Sequence, residues 1–186
     1  MSMKHSICRF IYYKVLGWKS EVSVPDFDKC IICAAPHTSN WDLLYGKLFI
    51  NAIGRDSGFL MKKEWFIFPL GYIFQWMGGI PVERGKHTSM VDNMVQKIKK
   101  MEKFRVAITP EGTRSPNPDW KKGFYYMASG AEIPIVLIGI DYQKKCISAT
   151  KYMNPTGDFD GDMREIKLYF KNFTGKHPER FDIGEI

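Results

Sequence analysis

Apolar runs of strand length alternate with helical patterns along most of this chain of 186 residues. The runs that predict strands are Cys30–Ala35, Phe59–Lys63, Phe104–Thr109, Ile133–Tyr142 and Lys145–Tyr152, with Ile80–Val82 as a short extended piece. The patterns that predict helices cover Ser6–Trp18, Asn40–Ile53, Thr88–Met101, Phe124–Ala131 and Met163–Phe173. Because strands and helices alternate in this order, we expect an α/β fold with a mainly parallel or mixed central sheet flanked by helices.

Length and composition indicate one globular domain over residues 1–186. Hydrophobic residues make up 45% of the chain and charged residues 25%, which is ordinary for a folded protein and argues against disorder. A chain of this length buries a substantial core. The sequence contains no internal repeat or low-complexity linker, and residues 158–186 are expected to add a C-terminal helix and a polar tail.

The chain carries a net charge of +7, from 27 basic and 20 acidic residues. Such an excess suits an anionic partner, which is a nucleic acid, a phospholipid surface or a phosphorylated substrate. We expect no nucleic-acid partner, because the sequence has neither a glycine-aromatic RNA-binding signature nor a clean basic recognition helix.

The four cysteines do not form the pattern of a disulfide framework or of a metal site. Cys30 and Cys33 lie in one predicted strand, where their spacing places them on opposite faces. No second cysteine pair or His-x-x-x-His motif is present to complete a zinc site. We therefore predict buried structural thiols, no metal and no bound cofactor.

Three pairs of charged residues follow strand-like runs, namely His37 with Asp42, Glu83 with Arg84, and Glu111 with Arg114. Ligands of open α/β sheets bind beyond the carboxyl ends of the strands. If the strands are parallel, all three pairs meet at one edge of the sheet. This convergence predicts a functional site at that edge.

His37 and Asp42 lie five positions apart, where the first predicted strand gives way to a helix. Two residues at this spacing inside a helix face apart, so His37 must precede the helix if it is to contact Asp42 in the first turn. Such a pair is capable of general-base catalysis, because Asp42 fixes the imidazole tautomer while the other ring nitrogen takes a proton from an alcohol. The helix N-cap is expected to be Thr38, Ser39 or Asn40.

No serine or cysteine is placed by the sequence as an obvious nucleophile. Ser39 is the nearest candidate, and a G-x-S-x-G elbow is absent. Direct transfer to an external hydroxyl is therefore favoured over a covalent intermediate. Arg84 and Arg114 suit a phosphate on that acceptor, and Gly112 allows close approach of the backbone. In the loop that follows, two lysines either extend this anionic site or are solvated charges: Lys121 and Lys122.

Four short motifs follow one another between Ile31 and Tyr142. They are H-x4-D at His37 and Asp42, a glycine six residues before an arginine at Gly78 and Arg84, P-E-G-T-R-S from Pro110 to Ser115, and the run Ile133-Pro134-Ile135 that opens a strand. In these motifs and in their order, the chain resembles the glycerolipid acyltransferase family, typified by bacterial 1-acylglycerol-3-phosphate acyltransferases. Each motif alone is weak, whereas four in order are specific.

The resemblance implies a glycerol-3-phosphate acyltransferase-like fold, and acyl transfer from a thioester of coenzyme A or acyl carrier protein to the hydroxyl of a lysophosphatidate-like acceptor. It implies that His37 is the base and that Asp42 orients it. It also implies that five residues bind the acceptor, with the two arginines holding its phosphate. These residues are Arg84, Glu111, Gly112, Thr113 and Arg114. Two other functions stay open: hydrolysis of the thioester by the same pair, and a non-catalytic module that binds lipid or phosphate at a membrane.

Two aromatic clusters predict a peripheral position on an anionic membrane. Residues 1–20 place aromatic and basic side chains at helical spacing, which is typical of a helix packed on the core or of an interfacial helix. The nearly uncharged segment Trp65–Met77 is expected to be partly core and partly an exposed binding patch. The sequence has no run of about 20 uncharged apolar residues and no convincing signal-peptide cleavage site. We therefore expect a cytoplasmic protein on the inner face of the cell membrane.

Overall fold

A computed structural model describes residues 2–82 and 87–185. Its strands are β1 (Lys19–Val22), β2 (Lys29–Ala35), β3 (Gly58–Lys62), β4 (Gly79–Val82), β5 (Phe104–Ile108), β6 (Ile135–Asp141) and β7 (Cys146–Met153). Its α-helices are α1 (Met3–Phe10), α2 (Trp41–Ala52), α3 (Leu70–Trp76), α4 (His87–Lys100), α5 (Gly123–Ala131) and α6 (Phe159–Phe170). A π-helical turn (Ile11–Val15) continues α1, and short 3-10 turns follow β3 and α6 (Lys63–Trp65, Pro178–Arg180).

In the described part of the chain, seven strands form one mixed sheet in the order β1-β7-β6-β2-β5-β3-β4. The five strands from β6 to β4 are mutually parallel, whereas β7 runs antiparallel to β6 and carries β1 parallel to itself at the edge. The predicted fold class, a mainly parallel or mixed sheet flanked by helices, is therefore confirmed.

Helices cover both faces of the sheet, so the central strand β2 is buried on both sides. Ile31, Cys33 and Ala35 belong to a core that includes buried side chains of α4, α5 and α6. Cys30 and Ile32 belong to the opposite core, which is formed with α2 and the π-helical turn after α1. The prediction that Cys30 and Cys33 occupy opposite faces is confirmed, and both thiols are buried.

The first strand of the sheet, β1, is absent from the predicted elements. Its sequence Lys-Ser-Glu-Val is short and largely polar, and its side chains are mostly exposed, so no apolar run marks it. The strand exists because it pairs with β7, beginning with Lys19 opposite Cys146. The C-terminal helix also begins earlier than predicted, at Phe159, because the Asp158 side chain caps it by accepting the backbone N–H of Gly161.

Candidate active site

Strands β2, β5 and β6 lie side by side and are parallel, so the residues that follow them share one edge of the sheet. His37 follows β2, Glu111 follows β5 and Tyr142 follows β6. The structure brings these three residues together around Asp42 in the first turn of α2. The predicted convergence of His37, Asp42 and Glu111 at the carboxyl edge is therefore confirmed.

The His37 ring contacts the Asp42 carboxylate, with Nδ1 and Oδ2 3.1 Å apart. An ionised carboxylate only accepts hydrogen bonds, so the contact places the imidazole proton on Nδ1 and leaves Nε2 free to accept one. His37 precedes the helix, as the spacing of the pair requires. The Asp42 side chain is buried, while the His37 ring keeps some exposure to solvent.

Both carboxylate oxygens of Asp42 accept hydrogen bonds. Its Oδ2 accepts the backbone N–H groups of Thr38 and Ser39, each at 2.8 Å, in addition to the His37 ring. Its Oδ1 accepts the hydroxyl of Tyr142 at 2.6 Å. The loop between strand and helix therefore wraps around the carboxylate, which fixes the side chain that orients His37.

The helix that carries Asp42 begins without a conventional side-chain cap. Asn40 occupies the N-cap position but makes no capping hydrogen bond through its side chain. Of the three residues expected to cap the helix, Ser39 comes nearest to that role, because its hydroxyl accepts the N–H of Trp41 at 3.3 Å. The Asp42 carboxylate itself satisfies the N–H groups of the loop that precedes the helix.

Glu111 lies behind His37 and is 3% exposed. Its Oε1 accepts the backbone N–H of His37 at 3.0 Å, and among the described residues no polar group lies within hydrogen-bonding distance of Oε2. Burial raises the pKa of Glu111 to about 8; the His37 N–H opposes this shift and the nearby charge of Asp42 adds to it. The structure thus gives Glu111 a supporting contact to the backbone of His37, and the acceptor-binding role that the resemblance implies for it stays a prediction.

The remainder of the P-E-G-T-R-S motif forms an exposed turn next to this carboxylate. Gly112 has a φ of 66°, in the left-handed region that favours glycine, and Thr113 and Arg114 are exposed. The stem of Lys121 lies so close that a Cβ on Gly112 would stand 3.0 Å from Lys121 Cγ. Lys122 instead places its Nζ over the ring of Phe159, 4.8 Å from the centroid.

The two lysines of the loop therefore diverge: Lys121 lies along the motif, while Lys122 is engaged in a cation–π contact. Glu83 and Arg84 lie outside the described residues, so their predicted place at the site stays a prediction. In the described part of the chain, no group of three or more His, Cys, Asp or Glu side chains is arranged to hold a metal ion.

Sequence reasoning missed two contributors to the site. Tyr142 ends an apolar run that predicts a buried strand, and the sequence does not show that this strand lies next to β2. The C-terminal tail also folds back onto the loop that carries His37. There the N–H of His177 donates to the Thr38 hydroxyl at 3.1 Å, and Lys176 lies over the exposed ring of Trp41. Nothing in the polar sequence of the tail signals this contact.

Comparisons with known proteins support the same family. A family model described as Acyltransferase matches residues 19–141, which is more than half of the chain. The fold is similar to the crystal structure of the 1-acyl-sn-glycerophosphate (LPA) acyltransferase PlsC from Thermotoga maritima, with a TM-score of 0.59, 18% sequence identity, and coverage of 90% of this chain and 76% of that chain. No curated protein is significantly similar in sequence to this chain. The family model covers more than half of the chain, and the matched residues include His37, Asp42 and Glu111. This chain therefore belongs to the acyltransferase family, as its motifs predict.

Proposed function

We propose that this protein is an O-acyltransferase that moves a fatty acyl group from a thioester to the hydroxyl of a lysophospholipid or glycerol-phosphate-like acceptor. The observation that carries the proposal is the contact of His37 Nδ1 with the fixed carboxylate of Asp42, which leaves Nε2 available as a base. The donor is a thioester of coenzyme A or of acyl carrier protein, which acts as co-substrate, and the protein needs no resident cofactor.

In the proposed reaction, His37 Nε2 takes the proton of the acceptor hydroxyl as its oxygen attacks the thioester carbonyl carbon. The tetrahedral intermediate collapses, the carbon–sulfur bond breaks, and the leaving thiolate receives the proton from the imidazolium. Asp42 stabilises the positive charge that His37 carries in between. An ester and a free thiol are formed, and no acyl group is attached to the protein.

The phosphate of the acceptor is proposed to bind beside the P-E-G-T-R-S turn. Arg114 is exposed there, Lys121 lies along Gly112, and Gly112 allows the backbone to approach a ligand closely. Among the described residues, no carboxylate forms an ion pair with Arg114 or Lys121. Arg84 joins this cluster in the proposal on the strength of its motif.

The acceptor and the acyl chain are lipids, and we propose that the protein meets them at the inner face of the cell membrane. Apolar side chains are exposed along α1 and along the segment between β3 and α3. No helix in the described ranges is long and apolar enough to span a bilayer. Peripheral attachment through these exposed side chains and the net positive charge fits both observations.

The deciding experiment measures thiol release from an acyl-coenzyme A and from an acyl-acyl carrier protein, each with and without lysophosphatidate. We expect release to depend on the acceptor, and His37→Ala to lower turnover by about 10²–10⁴-fold because a general base is lost. In the same assay, Arg114→Ala should raise the Michaelis constant for the acceptor, whereas Arg164→Ala, an exposed arginine on α6, should not.

Each alternative function predicts a different result in this assay. Equal thiol release with and without acceptor would identify a thioester hydrolase. Binding to vesicles with no turnover of either donor would identify a non-catalytic lipid-binding module. Full activity of His37→Ala would contradict the proposed general-base mechanism, whichever of these results is found.

A further inference from the structure

The hydroxyl of Tyr142 donates a 2.6 Å hydrogen bond to Oδ1 of Asp42, although the two residues are 100 positions apart in the chain. The other carboxylate oxygen, Oδ2, accepts the His37 ring and two backbone N–H groups. Tyr142 is therefore the donor that engages the oxygen of Asp42 facing away from His37. The stretch matched by the family model ends at residue 141, so the family match does not cover this tyrosine.

Contacts from three separate parts of the chain hold Tyr142 in place. Its backbone N–H donates to the carbonyl of Thr174 at 2.8 Å. Its ring meets Trp18 and Tyr45 edge to face, with centroids 5.1 and 5.7 Å apart, and these two rings stack on each other at 4.4 Å. A side chain held in this way delivers its hydroxyl to one place, which is what orientation of a partner requires.

The hydrogen bond also affects the charge that His37 experiences. Burial, together with the hydrogen bond to Asp42 and its charge, raises the pKa of Tyr142 far above the usual tyrosine value, so the phenol keeps its proton and acts as a donor. A donor on Oδ1 withdraws negative charge from the carboxylate. Without it, more charge faces the imidazole, which makes His37 more basic.

We propose that Tyr142 is a positioning residue of the active site: its hydroxyl fixes the carboxylate of Asp42 and sets how strongly Asp42 polarises His37. This inference rests on the proposed role of His37 as general base. Among the described residues, the titratable groups that contact His37 are Asp42 and Glu111, and those that contact Tyr142 are Asp42 and Tyr45. Tyr142 acts through Asp42 and does not touch the reacting atoms.

The test is Tyr142→Phe, with Tyr125→Phe as the matched control. Tyr125 also donates to a buried aspartate, Asp162, at 2.7 Å, but it does so between α5 and α6, away from His37 and Asp42. Both variants lose one tyrosine–carboxylate hydrogen bond and keep the ring. Thermal unfolding of both variants measures what each hydrogen bond contributes to stability alone.

For Tyr142→Phe we expect kcat to fall about tenfold, because a hydrogen bond to a charged group is lost. The Michaelis constant for the acceptor should stay unchanged, and the acid limb of kcat/KM against pH should move to higher pH. An NMR titration of the His37 imidazole should show the same displacement without any turnover. Tyr125→Phe should keep the wild-type kcat, pH profile and His37 titration.

The outcomes separate this inference from the proposed function. If His37→Ala is fully active, the base mechanism fails. If His37→Ala is inactive but Tyr142→Phe keeps the wild-type kcat and His37 titration, the positioning role alone is overturned. A fall in kcat equal to that of Tyr125→Phe, with no change in the His37 titration, also overturns it. A double variant with Asp42→Asn should lose no more activity than Asp42→Asn alone, and an additive loss would show that Tyr142 does not act through Asp42.

Discussion

At the scale of single residues, the two carboxylates beside His37 have very different surroundings. Asp42 accepts four hydrogen bonds, from the His37 ring, two backbone N–H groups and the Tyr142 hydroxyl. Glu111 is buried to a similar degree but, among the described residues, accepts one hydrogen bond, from the His37 backbone. Burial of an ionised carboxylate is costly unless hydrogen bonds replace its hydration. The hydrogen bonds to Asp42 thus replace the hydration of its carboxylate, whereas the surroundings of Glu111 favour its neutral form.

This difference predicts an unusual pH dependence of stability. Glu111 has a folded-state pKa of about 8, above the ordinary value of 4.5, so the folded protein binds more protons than the unfolded chain between these values. Stability from this group is complete below pH 4.5 and is lost as pH rises to 8, by up to about 1.4 kcal/mol per pH unit. Because Glu111→Gln cannot ionise at this position, its free energy of unfolding should increase relative to that of the wild type as pH rises through that window.

Urea unfolding of both proteins at pH 5, 6, 7 and 8 measures this difference. Glu165→Gln controls for the loss of a carboxylate at the surface, where Glu165 pairs with Lys151. If the free energies of unfolding of Glu111→Gln and the wild type change with pH in the same way, the buried carboxyl does not titrate in this range.

The same residues show which part of the site a sequence can reveal. His37 and Asp42 are close in the chain, and the strand-to-helix junction between them restricts how they meet, so their contact was predictable. The bond from Tyr142 to Asp42 depends on β6 lying next to β2, which is a property of the sheet order. Apolar periodicity carries no information on strand order, and a tyrosine at the end of an apolar run has the pattern of core.

At the scale of elements, long apolar strands and periodic helices were predictable, whereas pieces fixed by tertiary contacts were not. Strands β2, β5 and β6 are predominantly apolar and appear within two residues of their predicted bounds. The edge strand β1 and the returning tail have polar sequences. The conformation of β1 depends on β7, and that of the tail depends on the loop that carries His37. The tail is nevertheless part of the site, because it packs on the loop that carries His37.

Gly175 lies where the tail packs against Thr38 and Pro36. A Cβ at this position would stand 2.8 Å from the Thr38 hydroxyl and 3.1 Å from Pro36 Cβ, and Thr38 is fully buried. Because the buried Thr38 has little room to move, Gly175→Ala should displace the tail or the loop that carries His37. We expect a loss of about 1–3 kcal/mol in the free energy of unfolding and a fall in kcat.

Gly46→Ala is the matched control on α2, since a Cβ there meets no described atom within 4 Å. This variant should keep activity and gain up to about 1 kcal/mol, because glycine is unfavourable inside a helix. Denaturant unfolding and the thiol-release assay compare the two variants. Wild-type stability and kcat in Gly175→Ala would show that the tail does not support the loop that carries His37.

At the scale of the whole molecule, the sheet brings an apolar surface to the same edge as His37 and Glu111. Strand β3 is parallel to β5, so the segment that follows β3 emerges on the side where His37 and Glu111 lie. This segment exposes six large apolar side chains, which we call the apolar rim: Trp65, Ile67, Phe68, Leu70, Tyr72 and Ile73. An exposed cluster of this kind indicates a binding surface, and a lipid substrate at this edge needs an apolar path to the base.

The apolar rim is therefore predicted to enter the bilayer and to present the active site to its substrates. Phe68 and Tyr72 are 84% and 70% exposed, so their replacement removes little packing from the fold. Phe68→Ser should weaken binding to phosphatidylglycerol-containing vesicles about tenfold, since burying a phenylalanine contributes roughly 1.5–3 kcal/mol. Leu168→Ser changes an exposed leucine on α6 and should leave binding unchanged.

Vesicle flotation at low and high salt separates the apolar and electrostatic parts of this attachment. Attraction between the basic protein and anionic lipid should decline with salt, because charges are screened beyond about 10 Å at 0.1 M. The effect of Phe68→Ser should persist at high salt, because it removes apolar area and no charge. Equal flotation of Phe68→Ser, Leu168→Ser and the wild type at every salt concentration would exclude Phe68 from the membrane contact, and no flotation of the wild type at low salt would refute the peripheral attachment itself.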